Sequence, residues 1–404
     1  MKKFSKVLAL ILAFAMIACF AACGGGNEDP TTTAAPEGDS TAAPEGNAEG
    51  TFKEGTFKLG FVGPLTGGAA IYGTAAKNGA QIAVDEINAL EGDIKFEFNP
   101  QDDTHDAETS VNAYNTLVDW GMQALIGPIT TAPAISVAAE AYADRVFCLT
   151  PSASSTDVID ENDNMYQVCF TDPNQGTGSA DYIAEKFADA KVAVIYRNDD
   201  AYSQGIRDTF KAEAEVKGVE IVYEGTFTEA TSTDFSVQVT AAKNAEADLV
   251  FLPIYYQPAS VILKQAADID YAPTFFGVDG MDGILAMEGF DTSLAEGVML
   301  LTPFSADDPN AADFVAKYTE QFGETPNQFA ADGYDAVYII YNAIKAAGCK
   351  AEDDAATICE ALIAAMADLS VDGLTGAGMT WDDNGAVAKA PMAVVIKDGV
   401  YVTP

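Results

Sequence analysis

The chain has 404 residues, enough for two domains with separate cores, and 49% of them are hydrophobic, as in a globular protein. With 61 acidic against 21 basic residues, its formal charge is −40. That excludes a nucleic-acid footprint and electrostatic docking on anionic lipid, which both need basic surface, and describes a soluble, self-repelling exterior.

Lys2, Lys3 and Lys6 precede an apolar run over 7–20, which Ala21, Ala22, Cys23 and three glycines follow. A basic start, a short apolar core and small residues before a cut predict a secretory signal over 1–22, too short for a comfortable membrane span. Small residues ending directly in Cys resemble the bacterial lipoprotein lipobox, although Phe20 stands where Leu is usual and Cys19 is a second position to consider. The resemblance implies that Cys23 is diacylated and tethers the secreted chain to the outer face of the cytoplasmic membrane. Residues 24–50 carry TAAPEG twice, at 33–38 and 41–46, in an Ala/Pro/Thr/Gly/Glu background that cannot bury a core. We read 23–54 as a lipid-anchored, disordered linker with a reach of roughly 30 Å as a coil.

From residue 57 apolar strand runs alternate with amphipathic helices. Strands are predicted at 57–62, 94–100, 123–126, 146–149 and 166–170, with helices at 73–90, 107–120 and 133–144 between them. A second series follows: helices at 176–187, 203–217, 235–244 and 259–268, and strands at 192–196, 219–227, 248–252, 274–277 and 298–301. Beyond Pro303 the pattern turns helical (310–322, 327–347, 353–367), and it ends in short strands near Thr380 and over 392–396. Strands spaced by helices of this length make βαβ units and parallel sheets, and two such series make two lobes.

Residues 127–156 hold two hydroxyl-rich turns, Ile129-Thr130-Thr131 and Ser152-Ala153-Ser154, each after a strand and with a helix between them. Backbone N–H groups at a helix N-terminus and adjacent hydroxyls suit a small anion at the carboxyl ends of parallel strands. Cys148 and Cys169 sit in apolar strands as buried thiols, while Cys349 and Cys359 bracket an acidic turn where a disulfide is an open alternative. His105, in the acidic loop DDTHDAE, reads as a solvated loop residue; one histidine among carboxylates makes no metal site.

The runs FKLGFVGPLTGGAAIYGTAAKNGAQIAVDEIN, IGPITTAPAISVA, LTPSASSTD, DAYSQGIRDTF, DFSVQVTAAK and GYDAVY resemble, in order, those of the leucine/isoleucine/valine-binding family of solute receptors for ABC importers. The resemblance implies an α/β, two-lobed clamshell with three hinge crossings, its lobes formed by 55–172 plus 304–374 and by 173–303 plus 375–404. It also implies that Thr131, Ser152 and Ser154 hold a ligand carboxylate and that Asp279 with Tyr202 receives its ammonium. Tyr72, Tyr255 and Phe329 would then wall the side-chain pocket. His105 and Thr130 occupy the positions that form a disulfide in some members, so that cross-link is not expected.

A zwitterionic amino acid, branched-chain or otherwise apolar, fits these residue types, because anion donors and a cation acceptor lie beside aromatic walls. A 2-oxo or aromatic carboxylic acid would use the same turns without the ammonium partner. The expected partners are the permease subunits of an importer, with no cofactor and with a monomer as the default. An enzyme is disfavoured: the sequence has no GxSxG, GxxxxGK[ST] or GxGxxG. A sensory ectodomain is the other alternative, but such domains normally lead into a membrane helix, and this sequence stops at Pro404.

Overall fold

The computed structural model describes residues 55–404; the signal segment, Cys23 and the spacer up to residue 54 lie outside the described residues. The first part of the chain runs β1 (Thr56–Gly63), α1 (Ala70–Ala89), β2 (Lys95–Asp102), α2 (Ala107–Trp120), β3 (Ala124–Ile126), α3 (Thr131–Asp144), β4 (Phe147–Thr150) and β5 (Met165–Gln167). These five strands form one parallel sheet in the order β2-β1-β3-β4-β5. Strands β3 and β4 are buried along their whole length, as continuous apolar runs must be when helices cover both faces. The elements end where the local chemistry stops them. Helix α2 starts where the Asp106 side chain accepts from the Thr109 N–H and ends at Gly121, in the left-handed region at φ 88°.

The second part runs α4 (Asp172–Lys186), β6 (Lys191–Arg197), α5 (Ala201–Lys217), β7 (Glu220–Phe227), α6 (Ser236–Asn244), β8 (Leu249–Leu252), α7 (Tyr256–Asp268), β9 (Thr274–Gly277) and β10 (Met299–Thr302). The chain then makes α8 (Ala312–Phe322), α9 (Gln328–Ala347) and α10 (Ala355–Met366), and closes with β11 (Met392–Lys397) and β12 (Val400–Val402). The second sheet has the order β12-β11-β10-β9-β8-β6-β7, parallel from β7 to β10 and antiparallel at β11 and β12. No strand forms near Thr380; that stretch makes only the bridges Val371–Met379 and Trp381–Val387.

Helices α8–α10 return to the first sheet, where α9 packs along α1 and α10 against β4. The chain therefore passes between the lobes three times. The α1–α9 contact is backbone-close: a Cβ on Gly79 would stand 1.8 Å from the Ala330 carbonyl oxygen, and one on Gly333 2.1 Å from that of Ala76. This approach sets Tyr72 of α1 against Phe329 of α9, with ring centroids 4.7 Å apart. Apolar residues from both lobes, including Tyr72, Phe329, Ile254, Tyr256, Met281 and Ile284, belong to one continuous core cluster. Among the described residues, no helix is long and apolar enough to cross a membrane. Cys148, Cys169, Cys349 and Cys359 are all free thiols, so Cys349 and Cys359 do not close their loop.

Candidate functional site

Five strand ends face one another across the two lobes. In the first lobe, β3 leads into the Gly127–Thr131 turn and β4 into the turn through Ser152. In the second, β6 leads to Tyr202 at the start of α5, β8 to Tyr255 at the start of α7, and β9 to Asp279. Both sheets switch topology here, between β1 and β3 and between β6 and β8, which is where open parallel sheets leave a crevice for ligands. Tyr72, Ile129, Thr130, Ser152, Tyr202, Tyr255, Asp279, Gly280 and Phe329 enclose a cavity with about 230 Å³ of space between atoms. Its open volume is only about 10 Å³, roughly the room one water needs. The lobes are therefore shut more tightly than any organic solute requires.

Six of the eight site residues expected from the sequence and present in the described chain (Ser152, Tyr202, Asp279, Tyr72, Tyr255 and Phe329) line this cavity. Thr131 and Ser154 stand in the same turns one layer behind it, both buried. The Thr131 hydroxyl, in the first turn of α3, has no protein hydrogen-bond partner. A buried hydroxyl without a partner is costly, and a helix N-terminus is where an anion would satisfy it. The Ser154 hydroxyl instead donates to Asp172 at 2.7 Å, so with respect to a ligand its lone pairs are what remain. Ser152 donates to the Ile129 carbonyl at 2.6 Å and ties the two hydroxyl turns together.

Asp279 is the electrostatic centre. It accepts from the Tyr202 hydroxyl at 2.6 Å, and that oxygen accepts from the Gly280 N–H at 3.0 Å. Burial pushes the Asp279 carboxyl up to about 7 against the pull of these hydrogen bonds. Tyr202 stacks on Tyr255 at 4.7 Å and 15°. Tyr72 donates to the Gly280 carbonyl at 2.5 Å and accepts from the Tyr256 N–H at 3.2 Å, so one phenol on the first lobe grips two backbone groups of the second. Gln328 of α9 reaches across from another side, its side-chain amide donating to the Asp279 carbonyl oxygen at 2.8 Å.

Two residues differ from their sequence reading. His105 is half-buried and held in place: its Nδ1 lies 2.8 Å from the Thr130 hydroxyl, and its ring meets Tyr255 edge-on at 5.7 Å. Burial, with the nearby Arg197, holds its imidazole below the ordinary range, so it is neutral at pH 7. Where a disulfide was not expected, this hydrogen bond joins the two loops. Asp172, absent from the sequence reading, lies beneath the site. Burial holds its carboxyl well above the carboxylate range, with Asp279 adding to the effect, and its Oδ2 and the Gln175 Nε2 have no protein partner. The signal for it was available: Thr171 caps α4 with Pro173 in the first turn, which makes Asp172-Pro-Asn-Gln a helix start and not a loop.

Two α/β lobes closing on a cavity at the carboxyl ends of both sheets define a ligand-binding clamshell. The description of the family model that matches residues 56–399 is periplasmic binding protein, and the chain belongs to that family. It is 30% identical over 311 residues to the Leu/Ile/Val-binding protein BraC3 of Rhizobium johnstonii, covering 75% of this chain and 82% of that one. Among solved structures it resembles the leucine-binding protein LivK of Thermotoga maritima (TM-score 0.77, 25% identity, 86% of this chain and 97% of that one). It also resembles the branched-chain amino acid transporter substrate-binding protein LivJ of Streptococcus pneumoniae in complex with isoleucine (TM-score 0.76, 27% identity, 86% and 100%).

Proposed function

We propose that the chain is the solute receptor of an ABC importer, capturing an apolar α-amino acid between its lobes and delivering it to the permease as a monomer. The observation that carries this reading is the buried Asp279 carboxylate, oriented by Tyr202 across a cavity from hydroxyl turns at a helix N-terminus. Thr131 and the first N–H groups of α3 would take the ligand carboxylate, and Ser152 would orient that turn. Asp279, with Tyr202 behind it and the Ser154 oxygen as a further acceptor, would take the ammonium. Tyr72, Tyr255 and Phe329 would cover an apolar side chain once the lobes part enough to admit it. The relatives named for leucine, isoleucine and valine support that side-chain class.

A carboxyl held near 7 also favours a second reading, because a protonated Asp279 donates a hydrogen bond and would suit the keto oxygen of a 2-oxo acid. Calorimetric titration of leucine and its 2-oxo analogue separates the two. Asp279→Asn is expected to weaken leucine by about 2–5 kcal/mol, since it leaves the ammonium buried and unpaired, and to spare the oxo acid. Unchanged leucine affinity would remove Asp279 from the site.

The lobe division expected from the sequence is 55–172 plus 304–374 and 173–303 plus 375–404. The Trp381 indole N–H donates to the Gln167 carbonyl and the Gln167 N–H donates to the Gly385 carbonyl, which supports shifting the third boundary towards residue 388. Acylation at Cys23, with the 23–54 spacer, would hold the receptor on the outer face of the membrane. Incorporation of a palmitate analogue that is lost in Cys23→Ala is the expected result, and no incorporation would overturn it.

A further inference from the structure

A second cavity is far roomier than the one around Asp279. About 710 Å³ opens on a different side of the interlobe contact. The first lobe supplies Ile71 and Thr74 of α1 and Pro326 and Asn327 before α9; the second supplies Leu285, Tyr401 and Val402; and the Thr302–Asp307 crossing forms part of the wall. Its lining is mostly apolar, and its charged side chains are Asp282, Asp307 and Glu324, all acidic and with no basic residue beside them.

Asp282, at the base, is buried and accepts from the Gly283 N–H at 2.8 Å and the Gln328 N–H at 2.9 Å. Glu324 accepts from Tyr318 at 3.3 Å and Asp307 from Ser305, and both carboxylates are exposed at the rim. An apolar body with a single positive head complements such a lining, whereas an anion meets three carboxylates and no counter-charge.

The pocket is tied to the amino-acid site through one residue. Gln328 donates its backbone N–H to Asp282 and its side-chain amide to the Asp279 carbonyl, and also meets the Thr302 hydroxyl of the crossing at 3.3 Å. Both lobes form its walls, so the cavity is complete only when the lobes are closed on each other.

We propose that this interlobe pocket is a second ligand site, for a small organic cation with an apolar body, and that its occupancy favours closure and so tightens binding at Asp279. The coupling rests on the amino-acid reading above; occupancy of the pocket does not. A molecule that contacts both lobes binds the closed form better than the open one, and linkage makes the effect reciprocal.

The test uses cyclohexylammonium as the probe, with cyclohexanol and cyclohexanecarboxylate as its neutral and anionic counterparts. Saturation-transfer NMR on the purified protein, with and without saturating leucine, reads direct binding, and calorimetry reads leucine affinity at fixed probe concentrations. The ammonium is expected to bind in the presence of leucine, roughly 3-fold or more tighter than the alcohol, with the carboxylate weakest. Leucine is expected to tighten by about 5-fold at saturating ammonium.

Ala306→Trp and Ala286→Trp, which fill the pocket from two different segments, are each expected to abolish ammonium binding and leave leucine binding in place. Asp307→Asn combined with Glu324→Gln is expected to remove the preference for ammonium over alcohol. Displacement of the ammonium by leucine would put the probe at Asp279 and overturn the proposal. So would binding that survives both Trp variants, or equal binding of alcohol and ammonium. A chain that bound no leucine would sink the amino-acid reading alone, and the Trp variants would still decide the pocket.

Discussion

At the residue scale, the proposed function turns on the protonation of Asp279. Its carboxyl titrates near 7 because desolvation outweighs the Tyr202 and Gly280 hydrogen bonds. An ammonium beside it favours the charged form, so binding lowers its proton affinity and releases a proton wherever the free site was protonated. Leucine affinity is therefore expected to be flat above about pH 7 and to fall as pH drops below it, approaching about 10-fold per pH unit. Calorimetry between pH 5.5 and 8.5, in buffers of different ionisation enthalpy, reads both the affinity and the proton released. Constant affinity with no proton release would show that Asp279 stays ionised or takes no part. The family resemblance already pointed to Asp279, Tyr202 and the three aromatic residues. What the Ser154 hydroxyl does could not be read that way, because its partner Asp172 comes from α4, 18 residues on, and only the fold brings them together.

At the element scale, most helices and strands were legible where local chemistry marked their ends. Helix α2 was read residue for residue because Asp106 and Gly121 cap it. The start of α4 was read four residues late, since Asp172-Pro-Asn-Gln-Gly resembles a loop until the Thr171 cap is recognised. The strand expected near Thr380 is absent, because that segment is held by isolated bridges and by side chains reaching into α9. Lys389 is the clearest case. Its side chain is fully buried, with Nζ 2.6 Å from the Thr375 hydroxyl and 3.4 Å from Asp332, and it fastens the third crossing to α9. Burial nevertheless pushes Asp332 up to about 7, with Lys389 opposing the shift.

Lys389→Met is expected to destabilise the fold by about 3–5 kcal/mol at pH 8, where the buried Asp332 carboxylate loses the Lys389 counter-charge. The sign of the pH dependence follows from the carboxyl's raised position. Losing Lys389 raises it further, so at pH 5.5 the variant keeps Asp332 neutral and its deficit shrinks. Denaturant unfolding at the two pH values measures this; an equal deficit at both would show that the lysine acts through packing and not through charge.

At the scale of the whole molecule, the two-lobed architecture could be read from the alternation of strands and helices, and the family from its motifs. The state of closure could not. Tyr72 and Gln328 reach across the cleft to backbone groups around Gly280, and the cavity behind them is left with room for about one water. Such contacts depend on the angle between the lobes, which no local pattern encodes. An amino acid must therefore exchange some of these direct contacts for its own, and closure becomes a competition the right ligand wins. The most direct test of that claim is a thermal-shift screen of the purified protein against twenty amino acids and a panel of 2-oxo and aromatic acids. Leucine, isoleucine and valine are expected to raise the melting temperature above every other compound; a rise confined to acids that lack an amine would contradict the amino-acid receptor.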